Sequence, residues 1–118
     1  MNLRQRMPRM EDEKHRRFVA GLACILCGRE DVQAAHVNYA DLTIAKPYRG
    51  HGEKSDDCFV VPLCVEHHRQ QHAHGNERHW WEMSGRDPVK IALRLYSVSG
   101  DQARGEQVVQ AATNNAAI

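Results

Sequence analysis

Aromatic side chains are scarce in this 118-residue chain, where Phe, Trp and Tyr together make up 6% of the residues. A domain of this length buries too little apolar surface to rest on so thin a core, which points to a staple of another kind. Long apolar runs are also missing. No stretch is long enough to cross a bilayer, and the basic amino terminus is not followed by the apolar segment of a secretory signal. The expectation is therefore a cytoplasmic protein with no membrane partner. An excess of charge is absent too: the formal net charge is +1, which neither requires nor excludes nucleic acid. A βαβ pattern is lacking around the two closely spaced cysteines, which argues against a thiol–disulfide redox motif.

What the chain does have is four cysteines and eight histidines. In a reducing compartment cysteines are better read as metal ligands than as disulfides. Cys24 and Cys27 are two residues apart and are followed by Gly28, which suits the sharp turn of a knuckle. Cys64 and His67 repeat the same spacing, and the two pairs make a Cys₃His set for a tetrahedral structural Zn²⁺. Cys58 is left over, either as a small buried apolar residue or as a rival for the fourth zinc position. His68 and His72 stand at i and i+4, so on a helix they share a face turned about 100° from His67. A second divalent ion fits there.

Taken in order, residues 1–10 read as a flexible basic arm. Residues 11–22 suit a helix with an acidic start, later basic residues, and Phe18, Val19 and Leu22 facing inward. Residues 32–39 alternate as a short strand that carries His36. A long loop over 40–56 follows, where Lys46, Arg49, His51 and Lys54 are suited to a phosphate backbone and Tyr48 to stacking. A second strand is expected over 57–61, stopped by Pro62. If it pairs with the first, the following helix brings His68 and His72 back beneath the hairpin. Gly75 is expected to end that helix. Residues 77–83 form a short helix with Trp80 and Trp81, and Asp87-Pro88 opens a core helix that runs to Val98. Beyond Gly100 no period is visible, so residues 101–118 are expected to be a mobile tail around an 11–100 domain.

Together, Cys24-x-x-Cys27, Ala35-His36-Val37, Asp57 ahead of an apolar strand, then Leu63-Cys64-x-x-His67-His68 and His72 resemble the HNH, or ββα-metal, endonuclease superfamily. The likeness is greatest to a small phage and prophage group, and it covers about residues 18–82. It implies an α+β fold: a hairpin-plus-helix core stapled by zinc and flanked by amino- and carboxy-terminal helices. It implies that His36 is the general base and that His68 and His72 hold one catalytic divalent ion, Mg²⁺, Mn²⁺, Ni²⁺ or Zn²⁺. Asp57 stands where the family places an Asn that orients the base, and Cys24, Cys27, Cys64 and His67 match its structural knuckle. Two positions depart from the pattern. Ala35 replaces a further metal ligand, and Asp57 replaces the Asn, where a carboxylate favours the charged imidazole.

The implied activity is metal-dependent hydrolysis of phosphodiester bonds in DNA, by an endonuclease or nickase. Lys46, Arg49, Lys54 and Arg69 are the candidate DNA-contacting cations. The alternative, motivated by Ala35 and Asp57, is a zinc-stapled nucleic-acid-binding module without catalysis. A zinc metallopeptidase is set aside, because the residue after the first histidine of the pair is Arg69 where a glutamate base would be needed.

Overall fold

A computed structural model describes residues 10–39 and 55–114 of the chain. Seven elements follow in order: α1 (Glu13–Ala20), β1 (Val32–His36), β2 (Val60–Cys64), α2 (Val65–His74), α3 (Glu77–Ser84), α4 (Pro88–Ser97) and α5 (Gln102–Asn114). The arrangement is α+β, a two-stranded antiparallel sheet with five helices. Among the described residues no helix is long and apolar enough to cross a membrane.

Helix boundaries follow local chemistry. The Asp12 carboxylate caps α1 by accepting from His15 N–H at 3.0 Å, and Asn76 and Asp87 cap α3 and α4 in the same way. Pro88 sits in the first turn of α4, where its missing N–H costs nothing. Gly75 leaves α2 at φ +83°, a left-handed exit that a side chain resists.

The two strands pair from Val32 opposite Cys64 to His36 opposite Val60. Every residue of β2 is buried, whereas in β1 only Ala35 is. On one side the sheet packs into a core with Val37, Phe59, Trp81 and the α4 residues Val89, Ile91, Ala92 and Leu95. Trp81 is buried and Trp80 only partly so, their rings edge to face at 4.9 Å.

Two expectations are corrected. The second strand does not end before Pro62 but runs through it to Cys64. Pro62 O accepts from Ile25 N–H at 3.1 Å, on the side away from β1. A strand residue's N–H and C=O point the same way, so the donor proline lacks is not one the β1 ladder needs. The tail expected over 101–118 is instead helix α5 as far as Asn114. Gly105 and Val109 of α5 are buried, Arg86 reaches Ala112 O and Thr113 O, and Thr113 Oγ1 lies against Cys24 O and Ile25 O. Its inward stripe, Gly105, Val108, Val109 and Ala112, has only two sizeable apolar side chains, so its apolar period is weak in the sequence. The arm of residues 1–9 lies outside the described residues, as do residues 40–54 and the end of the tail.

Candidate metal centre and histidine cluster

Four donors meet where β2 becomes α2. Cys24 and Cys27 come from the loop after α1, whose backbone closes on itself: Cys24 N–H donates to Arg29 O at 2.8 Å and Gly28 N–H to Cys24 O at 2.9 Å. Gly28 takes φ +78°, the turn the sequence assigns to it. Cys64 ends β2 and caps α2, and His67 lies in the first turn of that helix. The three sulfurs and one imidazole nitrogen all lie within 4.8 Å of one another.

Their spacing fits a tetrahedral ion. Cys27 Sγ and Cys64 Sγ are 3.8 Å apart, and His67 Nδ1 is 3.2 Å from Cys64 Sγ and 3.8 Å from Cys24 Sγ. With metal–sulfur bonds of about 2.3 Å and metal–nitrogen bonds of about 2.0–2.1 Å, tetrahedral edges are about 3.8 Å for S–S and about 3.6 Å for S–N. Backbone amides face the sulfurs, Leu26 N–H toward Cys24 and His67 N–H toward Cys64, each at 3.4 Å. Burial pushes against a thiolate at Cys24, but the amides of Cys64, Leu26 and Cys27 outweigh it and lower its pKa. Cys27, although exposed as a residue, is pushed up to about 11, by partial desolvation of its sulfur first and by crowding against Cys24 and Cys64. A divalent cation relieves that crowding by taking the place of the proton. The group can therefore hold a metal such as zinc, and Cys58, half buried, is not part of it.

Another face of α2 carries the second histidine set. His68 and His72 bring their Nε2 atoms to 3.0 Å, with ring centroids 4.7 Å apart. His68 Nδ1 lies 2.6 Å from Gln33 Oε1 on β1. The His68 pKa is lowered, by burial first and then by the charges of His72 and His36.

His36, at the end of β1, places Nε2 2.8 Å from Asp57 Oδ1. Asp57 is completely buried and serves as a hub. Its Oδ2 accepts from Asp12 N–H at 2.7 Å and lies 3.0 Å from Arg16 Nε. That Arg16 nitrogen finds no hydrogen-bond geometry, so its pull is Coulombic. Burial would raise the Asp57 pKa, yet His36, the Asp12 amide and Arg16 together lower it. The structure thus ties His36 directly to the carboxylate.

Of the candidate DNA-contacting cations, Lys46, Arg49 and Lys54 lie outside the described residues, together with Tyr48 and His51. Arg69 is exposed on α2 and pairs with both oxygens of Glu66 at 2.6 Å. Asn38 Oδ1 accepts from Ser55 N–H at 3.0 Å, which ties the end of β1 to the approach to β2. Sequence reasoning passed over Gln33 and Arg16, and no spacing or motif marks either. Both act through partners 35 or more residues away.

No curated protein and no solved structure matches the chain. A family model matches residues 2–99, most of the chain, and on that ground the chain belongs to the family described as "protein of unknown function (DUF968)".

Proposed function

We propose that this chain is a metal-dependent DNA endonuclease or nickase, with His36 as general base and one divalent ion held by His68 and His72. One observation carries the reading. A single helix gives His67 to the Cys₃His group and, from another face, two imidazole nitrogens 3.0 Å apart, while the knuckle fixes its first turn. Two nitrogens at that separation suit neighbouring positions around one ion, since ligands about 2.1 Å from a metal and about 90° apart lie about 3.0 Å from each other. A rigid support of this kind is what a catalytic ligand pair needs.

The ion, when bound, supplies charge neutralisation at a phosphate oxygen and at the leaving 3′ oxygen. The remaining work belongs to side chains. A neutral His36 that donates Nε2–H to Asp57 keeps its lone pair on Nδ1, the atom that takes a proton from the attacking water. Asp57 is held from behind by the Asp12 amide and Arg16, so it orients the imidazole without moving itself. A base so placed contributes on the order of 10² to 10⁴ in rate. The test is nicking of supercoiled plasmid with Mg²⁺, Mn²⁺ or Ni²⁺. His36→Ala is expected to abolish nicking while bound zinc stays constant, and undiminished nicking would remove His36 from the mechanism.

A second reading is a zinc-stapled nucleic-acid-binding module without catalysis. Buried Ala35 favours it, since it supplies no ligand beside His36, as does the Asp57 carboxylate 2.8 Å from His36, which favours the charged imidazole over a neutral base; among the described residues the knuckle is the only set of three or more grouped donors. This reading expects DNA retention that falls steeply with salt, and no cleavage with any metal. Cutting by the wild type that is lost in His68→Ala rules it out.

A further inference from the structure

The His68–His72 pair continues into β1. Val65 N–H donates to Asp31 O at 3.1 Å, which fastens the first turn of α2 to the start of β1. Gln33, opposite Leu63 in the sheet, then reaches across to His68, with Oε1 2.6 Å from Nδ1. A carbonyl oxygen only accepts, so the proton of a neutral His68 sits on Nδ1 and the lone pair on Nε2. That Nε2 is the atom facing His72 Nε2 at 3.0 Å. Without a cation, His72 Nε2–H is the donor of this contact. Exposed His72 can move its proton to Nδ1 through water and so free a second lone pair.

We propose that Gln33 is a positioning residue that holds His68 in the Nδ1–H tautomer, so that its Nε2 lone pair stands ready as a metal ligand; its value to catalysis rests on the proposed ion at His68 and His72. A glutamine suits this place in a particular way. With its oxygen toward the ring it prepares the ligand, and with its amide nitrogen turned over it would favour the Nε2–H form and close the clip. A carboxylate at the same place has acceptors only and would hold the ligand form more firmly.

The experiment uses the zinc-loaded full chain carrying His79→Ala. That change removes a second exposed imidazole pair, in which His74 Nε2 lies 3.2 Å from His79 Nδ1. Long-range ¹H–¹⁵N spectra of the histidine rings, recorded without added metal, read the tautomer. Titration with Ni²⁺ by calorimetry reads the site. His68 is expected as the Nδ1–H form, and Gln33→Leu should return it to the Nε2–H form that an unassisted imidazole prefers. The same change should weaken Ni²⁺ binding about 10- to 100-fold, while Gln33→Glu keeps the tautomer and binds at least as tightly as wild type. An Nε2–H form in the wild type, or a tautomer unchanged in Gln33→Leu, overturns the proposal. If the tautomer behaves as expected but Ni²⁺ binding is insensitive to His68→Ala, the positioning role stands and the metal reading of the pair fails.

Discussion

His36 Nε2 stands 2.8 Å from Asp57 Oδ1, with the imidazole side chain 9% exposed and the carboxylate fully buried. Because Asp57 also receives the Asp12 amide and faces Arg16, it joins the start of α1, the end of β1 and the approach to β2. Asp57→Ala leaves the buried donors of His36 and Asp12 without an acceptor, at about 1–3 kcal/mol for each. Asp57→Asn can accept from only one of them, and its amide nitrogen meets His36 Nε2 favourably only if the imidazole moves its proton to Nδ1. Thermal unfolding should therefore rank wild type above Asn and Asn above Ala. The wild-type advantage is full above the ordinary carboxylate pKa and is lost as acid protonates Asp57, because its folded pKa is lowered. Equal melting of all three proteins would contradict the hub.

Cys64 has two duties, one as a knuckle donor and one as the cap of α2. Cys64→Ser keeps a capping oxygen but removes the thiolate, which separates the two duties. Structural zinc is worth about 10–16 kcal/mol in small zinc-finger peptides, comparable with the whole stability of a domain, about 5–15 kcal/mol. The variant should lose its bound zinc by elemental analysis and melt without a cooperative transition. Chelator-treated wild type should behave alike. A serine variant that melts like wild type would mean that the cap, not the metal, matters.

His15 is buried, its Nδ1 2.7 Å from Ser99 Oγ, its Nε2 without a hydrogen-bond partner, and its ring edge to face with Tyr96, the centroids 4.8 Å apart. Burial lowers its pKa, outweighing the raising pull of Asp12 and Asp57. The unfolded chain takes up a proton near pH 6.5 that the folded chain resists. Stability is thus full above about pH 6.5 and falls below it, until the folded pKa is passed. His15→Phe should reduce the loss of Tm between about pH 7.5 and about pH 5. An unchanged pH slope would assign the effect to other histidines.

A Cβ built on Gly105 would come within 2.6 Å of Phe18 Cζ and 3.1 Å of Leu22 Cδ2, so α5 and α1 meet at this glycine. Overpacking costs about 1–3 kcal/mol, against a gain of about 1 kcal/mol in helix propensity for alanine. Gly105→Ala should lower stability by roughly 1 kcal/mol, and Phe18→Leu should recover part of it. Were α5 unpacked, the same change would raise helicity by circular dichroism at no cost in Tm.

Arg69, exposed on α2, is already engaged by Glu66, whose side chain is half exposed. If Arg69 contacts a phosphate, Glu66→Gln should tighten DNA retention and Arg69→Ala should weaken it. The slope of log affinity on log salt should fall by about 1 in the alanine variant. Identical salt slopes for the three proteins would remove Arg69 from the interface.

Much of the site was legible because its signals are local. Two cysteines two residues apart, a Cys and a His at the same spacing, and histidines at i and i+4 are statements about one turn of chain, and the knuckle donors and the His68–His72 pair came together as read. Caps at Asp87 and Gly75 are equally local. Pro62 misled because the local rule for proline omits which side of a strand needs the donor, and that side is fixed by the chain that Pro62 O meets at Ile25. Helix α5 was hidden for a related reason, since close approach to α1 requires a glycine at 105 and leaves the stripe only two valines to mark its apolar period.

The sequence by itself determined the donors, their spacing and the order of the elements from α1 to α4, because these follow from side-chain chemistry and backbone preference within a few residues. Only the tertiary structure decided that Asp57 sits buried between His36 and the start of α1, and that Gln33 grips His68 from the neighbouring strand. Those partners are 21 to 45 residues apart, and what joins them is the packing of hairpin against helix, which desolvates the polar groups and obliges them to find one another.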